Sequence, residues 1–305
     1  MCILQMKDNA CFSCKKGTLK PPPLNPRKLD IRKTPEDLPD LFFIGLISSS
    51  RGSGKSWKLL ELLKMYDNAD TFDTINFFCP TLQADPKYEM LNDFKAEVNT
   101  FDDYDDKVME DLIKTQDMKI EKYHGEKDKL KIWKRWNRGV PLEQFTPLEV
   151  MYLNEHDFQQ PRTEFPMGEP SCIFIFDDLM GNTDLYGSQN RKGFDFKKFA
   201  IKHRHHRASL LFSTQAFKGG VPKGIRNNLS MLLLGANKSP LIKKEIADEV
   251  SAYVSREDFV EMWDRATEDP YSFYMVDYEA PKDKKFRQVS PYAWDNYMIP
   301  YSKGK

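Results

Sequence analysis

Residues 41–66, LFFIGLISSSRGSGKSWKLLELLKMY, decide the fold. Leu41–Ile47 is a continuous apolar run, the pattern of a strand buried on both faces of a parallel sheet. The polar stretch that breaks it is SSSRGSGKS, and beyond it Leu59, Leu62 and Leu63 recur at helical spacing. Ser49 to Ser56 has the spacing of a loop that cradles phosphate, with Ser49 where the strict pattern asks for glycine. Its amides, from Ser49, Ser50, Arg51, Gly52, Ser53 and Gly54, can converge on an anion at a helix N-terminus. Lys55 sits at the positive end of the helix dipole, unfavourable by about 0.3–1 kcal/mol unless an anion shares the site. A plain Ser/Gly linker has no use for that lysine, and Ser56 places a hydroxyl where Mg²⁺ would accompany a nucleotide.

Outward from this core, Thr74–Cys79 (TINFFC), closed by Pro80, reads as a second strand, so strand, loop, helix and strand form a βαβ unit. From about 85 to 170 the pattern is helical and charged, with no convincing sheet strand, and is expected to be a helical insertion. The α/β pattern resumes with CIFIFDDLM from Cys172, followed by a glycine-containing loop (181–193) and a basic helix from about Phe194 to His206. Strands are expected at Ser209–Gln215, Met231–Leu234 and, as the last, Tyr271–Val276, with Asn237–Trp263 helical. The class is α/β with a mostly parallel sheet, in a domain spanning 41–290 between an arm (1–40) and a tail (291–305).

Two further strand ends carry chemistry. The apolar strand from Cys172 ends in Asp177 and Asp178. Adjacent carboxylates repel, and placing both at a buried strand end is costly unless a cation shares the site. Asp177 can hold Mg²⁺ through its water shell, and Asp178 can orient or deprotonate an attacking water. Gln215 closes SLLFSTQ; the C-terminal strand ends of a parallel sheet face the ligand crevice, which points it at a γ-phosphate or its water.

The 46 Lys and Arg balance 46 Asp and Glu, so a uniformly basic binder is excluded, but the charge is segregated. Residues 1–33 carry eight Lys/Arg against two Asp, and prolines at 21–23, 26, 35 and 39 keep this arm extended. Acids cluster at 102–111; 119–138 has eight Lys/Arg against three acids, and 197–207 has five Lys/Arg, three His and no acid. No nearby Cys or carboxylate completes a metal site with His203, His205 and His206, so 197–207 reads as a basic face for phosphate or a neighbouring subunit. Trp133 and Trp136 continue an apolar stripe through Ile120, Tyr123 and Leu130, which makes them core of the insertion rather than base-stacking groups. The apolar runs are far short of the roughly 18–20 residues of a membrane span, and no signal-peptide pattern is present. Five cysteines at irregular spacing speak for a reducing compartment; Cys11 and Cys14, with Cys2, have at most part of a zinc site.

SSRGSGKS, CIFIFDDL, HRHHRASLLFSTQ and GIRNN, in that order, resemble the FtsK–HerA superfamily of DNA-pumping ATPases, most of all the viral genome-packaging branch. The resemblance spans roughly residues 40–290. It implies a RecA-like P-loop core in which the Gln-bearing strand lies between the P-loop and acid-pair strands. It implies ATP and Mg²⁺ as cofactors, and a homo-oligomeric ring with ATP hydrolysed between subunits. Double-stranded DNA gripped without sequence preference and a capsid-vertex or virion protein are the implied partners, in host cytoplasm, virus factory or virion. Arg204, eleven residues before Gln215, occupies the family's trans-acting finger position, with Arg207 and Arg226 as competitors. The chain departs from the family at Ser49, in the length of 85–170, and at Asp178, where many relatives have Glu. Alternatives are a cellular or plasmid translocase or helicase, a small-molecule P-loop kinase using 85–170 as a lid, and a scaffold protein retaining a structural nucleotide site.

Overall fold

The computed structural model describes residues 32–179, 194–250 and 254–298. The expected βαβ unit is present as β1 (Ile44–Ser48), α1 (Lys55–Asn68) and β2 (Thr74–Phe78). There follow β3 (Glu97–Phe101), α2 (Asp106–Asn137), α3 (Pro147–Glu155), β4 (Cys172–Asp177), α4 (Phe196–Lys202) and β5 (Ala208–Thr214). Two short helical turns, α5 (Phe217–Gly220) and α6 (Lys223–Arg226), precede β6 (Met231–Gly235). The chain then forms α7 (Pro240–Val250), α8 (Arg256–Ala266), β7 (Phe273–Asp277), β8 (Phe286–Val289) and β9 (Asn296–Tyr297).

The described strands form one sheet in the order β3-β2-β4-β5-β1-β6-β7-β8-β9. The strands from β3 to β6 are mutually parallel, and β7, β8 and β9 are added antiparallel. The fold is thus α/β with a mostly parallel sheet, and β5 lies between β4 and β1, the RecA-like order. Ser48 stands opposite both Thr214 and Leu234, and Asp177 opposite Ser213, so these C-terminal strand ends share one edge.

Successive side chains of a strand face opposite sides, and β4 shows it. Ile173 and Ile175 join the core under α1 with Leu59, Leu63 and Tyr66. Phe174 and Phe176 face the other core, with Met109, Phe196 and Trp263. There Phe101, Phe78, Phe176 and Phe212 stack across four strands, with ring centroids 4.7, 5.4 and 5.1 Å apart.

The stretch 85–170, expected without a sheet strand, supplies β3 at the sheet edge. EVNTF mixes half-buried and exposed positions with polar residues, so its apolar signal is weak. Much of the rest is helical. Asp105 caps α2, whose 32 residues span about 48 Å. Met109, Ile113, Gln116, Ile120 and Tyr123 form its buried stripe. Trp133 donates its indole N–H to the Phe158 carbonyl at 3.1 Å and Trp136 packs on the Phe158 ring, so both serve as insertion core.

The last turn of the expected basic helix is a 3-10 turn, His203–His206, and the stretch 237–263 is two helices, α7 and α8. β8 and β9 lie beyond the strand expected to be last. Residues at both expected boundaries pack onto the domain. In the arm, Arg32 pairs with Asp73 at 2.7 Å and Tyr66 donates to the Pro39 carbonyl. In the tail, Trp294 donates to Glu61 at 2.6 Å. Cys2, Cys11 and Cys14, the arm to residue 31, residues 180–193 with the whole loop 181–193, residues 251–253 and the tail beyond 298 lie outside the described residues. Among the described residues no helix is long and apolar enough to cross a membrane.

Candidate active site

The loop expected to cradle phosphate leaves β1 at Ser48 and enters α1 at Lys55 through two left-handed glycines, Gly52 (φ 78°) and Gly54 (φ 86°). Its serines hold the loop closed. Ser53 donates to the Ser50 carbonyl at 2.8 Å and shares a short hydrogen bond with the Ser49 hydroxyl, and the Ser49 amide reaches the Thr214 carbonyl of β5. Gly54, at the N-cap of α1, makes no side-chain cap, so no side chain competes there for the first-turn amides. Ser49, the departure from strict spacing, is accommodated by Gly235 at the end of β6. A Cβ on Gly235 would lie 2.4 Å from the Ser49 Cβ.

Lys55, Asp178 and Gln215 come together. The Lys55 Nζ lies 3.7 Å from an Asp178 carboxylate oxygen, and the Gln215 amide donates to both oxygens of Asp178, at 3.2 and 3.1 Å. Asp178 has a left-handed φ of 55°, and its amide donates to the Ser213 carbonyl of the neighbouring strand. These residues line a cavity of about 380 Å³, with Arg51, Lys87 and Tyr271 also on its wall. A larger cleft of about 700 Å³ lies between α7 and α8, and two of its basic side chains, Lys243 and Arg256, are paired with Asp264 and Asp248.

Asp177 is 1% exposed. Tyr88, from the 3-10 turn Pro86–Asp93, donates its hydroxyl to one Asp177 oxygen at 2.8 Å. The same phenol hydrogen-bonds Ser56 and receives the Cys79 thiol proton at 3.4 Å. Burial, and then the Asp177 charge, push the Tyr88 pKa far above its ordinary value, so it stays a donor. The other oxygen of Asp177, Oδ1, and the hydroxyl of Ser213 are buried without a hydrogen-bond partner. A buried carboxylate oxygen left unpaired is costly. With the Ser56 hydroxyl close by, these hard oxygen donors fit Mg²⁺, which takes few protein ligands beside water and phosphate oxygens. Consistent with so open a donor set, the described residues contain no cluster of three His, Cys, Asp or Glu side chains able to hold a metal alone.

Arg204 is not brought to this site. It lies in the 3-10 turn before β5, at the opposite end of that strand, exposed and paired with Glu279 at 3.1 Å. Its competitors are engaged inside the chain. Arg207 pairs with Glu169 at 2.8 Å, and buried Arg226 holds both oxygens of Glu249 and the carbonyls of Lys218 and Val221. His203 is buried between the carbonyls of Phe42 and Ala200, while His206 pairs with Asp117, so the histidines diverge. Tyr88, Lys87 and Tyr271 were not anticipated from sequence. Each reaches the site from a turn distant in the chain, with no motif to announce it.

Several solved structures are similar to the chain, three of them as follows. The DNA-packaging ATPase from Sulfolobus Turreted Icosahedral Virus is 15% identical, with a TM-score of 0.46 over 82% of this chain and 97% of that one. The pCW3 conjugation coupling protein TcpA is 14% identical, with a TM-score of 0.41 over 81% and 59%. The cytoplasmic domain of the Thermomonospora curvata Type VII secretion ATPase EccC is 15% identical, with a TM-score of 0.41 over 86% and 26%. No protein-family model and no curated protein matches the chain.

Proposed function

We propose that this chain is an ATPase that moves double-stranded DNA through a ring of its own copies to package a viral genome. The observation that carries the ATPase is the convergence of Lys55, Asp178 and Gln215 on one cavity beside a buried, unpartnered oxygen of Asp177. In that cavity the loop amides and Lys55 hold the β- and γ-phosphates. Ser56 and the Oδ1 of Asp177 would hold Mg²⁺, which supplies charge neutralisation on those phosphates when bound. Gln215 releases Asp178 and orients a water. Asp178 takes the water's proton as its oxygen bonds to the γ-phosphorus and the bond from that phosphorus to the β–γ bridging oxygen breaks. The proton then leaves Asp178 for solvent.

What supports the DNA motor is the motif order in the sequence together with the placement of Arg204. Exposed and far from its own cavity, Arg204 can swing from Glu279 toward a neighbour's γ-phosphate, a contribution of about 10³–10⁵ in rate. The basic α4 and the loop 181–193 are the candidate grips on the DNA backbone, with capsid vertex or virion proteins as the anchoring partner. The deciding experiment is ATP hydrolysis with and without double-stranded DNA. DNA should stimulate turnover and Lys55→Ala should abolish it; an assembled ring at moderate salt that hydrolyses ATP without responding to DNA would refute the motor.

A further inference from the structure

The sheet sets the direction in which a nucleotide lies along the crevice. Asp178 and Gln215 follow β4 and β5, on one side of the phosphate loop, so the reacting γ-phosphate points that way. On the other side lie β6 and then β7. Because β7 runs antiparallel, with Phe273 opposite Gly235, the residues just before it return to the same edge as the loop. Tyr271 is there. It is 60% exposed, it lines the cavity of the phosphate loop, and its ring lies so close to Gly54 that a Cβ on that glycine would be 2.9 Å from Cδ1. Its φ of 62° is left-handed, an uncommon and strained conformation for a bulky aromatic residue.

An exposed ring held in that conformation adds little to the core, yet it stands where the nucleoside end of a phosphate-anchored ligand must lie. We propose that Tyr271 is the stacking platform for the nucleobase, a proposal that rests on the nucleotide-binding reading above. Recognition is by the flat face of the base, with Trp57, 57% exposed at the start of α1, on the wall of the same cavity. Stacking accepts any base, so the platform adds affinity without separating adenine from guanine.

The test compares a fluorescent ATP analogue with inorganic tripolyphosphate, which has the phosphates and no base. Tyr271→Asn removes the ring while tolerating the left-handed backbone, and Tyr271→Phe keeps the ring. The asparagine variant should bind the ATP analogue about 5- to 100-fold more weakly, while the phenylalanine variant binds it like the parent. Tripolyphosphate should bind all three proteins alike. If the asparagine variant binds the ATP analogue like the parent, or loses tripolyphosphate in equal measure, Tyr271 is not a base platform. A parent protein that binds neither ligand would instead overturn the phosphate-loop reading and this proposal with it.

Discussion

Gly235 and Ser49 are a fitted pair at the residue scale. Gly235→Ala forces a methyl to within 2.4 Å of the Ser49 Cβ and 3.0 Å of Phe273 Cε1. Overpacking of this kind costs about 1–3 kcal/mol, and here the strain falls on the phosphate loop. The variant should melt earlier and bind nucleotide less tightly, and Ser49→Gly in the same chain should restore much of both, as read by thermal denaturation and nucleotide titration. A second prediction concerns Tyr88, which fixes Asp177 by one oxygen and leaves the other unpaired. Hydrogen bonds to a charged group are worth about 1.5–3 kcal/mol, so Tyr88→Phe should raise the metal concentration for half-saturation roughly 10-fold or more. Mn²⁺ binding followed by electron paramagnetic resonance, with a non-hydrolysable nucleotide, reads this without turnover; unchanged Mn²⁺ affinity would remove Tyr88 from the metal site. The left-handed φ of Asp178 also gives a reason for Asp there in place of Glu, since Asp is enriched in that conformation. The strand–loop–helix turn from Ile44 to Asn68 and the strand ending at Asp177 were legible because each is contiguous, with its pattern written into adjacent residues. Tyr88 and Tyr271 were not, because only the folded chain delivers them.

At the scale of elements, the buried strands were legible from their unbroken apolar runs, whereas β3, β8 and β9 were not. EVNTF and NY lie at the two edges of the sheet and bury less, whereas FRQV is largely buried but carries Arg287 and Gln288 between its apolar ends, which breaks its apolar run. The aromatic row across β3, β2, β4 and β5 gives a stability prediction. Phe176 stacks on Phe78 at 5.4 Å and on Phe212 at 5.1 Å, at the centre of that row. Phe176→Ala should cost about 3–5 kcal/mol in denaturant-induced unfolding, from lost burial and the cavity left behind. Truncating exposed Leu148 on α3 (73% exposed) should leave the midpoint almost unchanged.

For the whole molecule, the balance of 46 basic and 46 acidic residues conceals a segregation that only the linear order reveals. Arg204 lies in the acid-free stretch 197–207, at the end of β5 remote from Gln215. If Arg204 acts in trans as proposed, a subunit lacking it keeps its own cavity intact and fails only its neighbour. Arg204→Ala and Lys55→Ala proteins, each inactive alone, should recover part of the DNA-stimulated hydrolysis when mixed. Mixtures that stay as inactive as their components would place Arg204 outside the hydrolytic apparatus.

The change of strand direction between β6 and β7 separates what can vary from what cannot. The groups proposed for hydrolysis all sit on the ends of parallel strands, so that shifting any one of these strands would separate Asp178, Gln215 and the loop from one another. Tyr271 is reached only after the excursion through α7 and α8, whose inner faces (Ile246, Phe259 and Trp263) are packed in the core while their outer faces can change sequence with β7 still in register. With Tyr271 as the proposed base platform, substitutions there would retune how long a nucleotide is retained, and hence the pace of the cycle, without touching the groups proposed for the bond-breaking step.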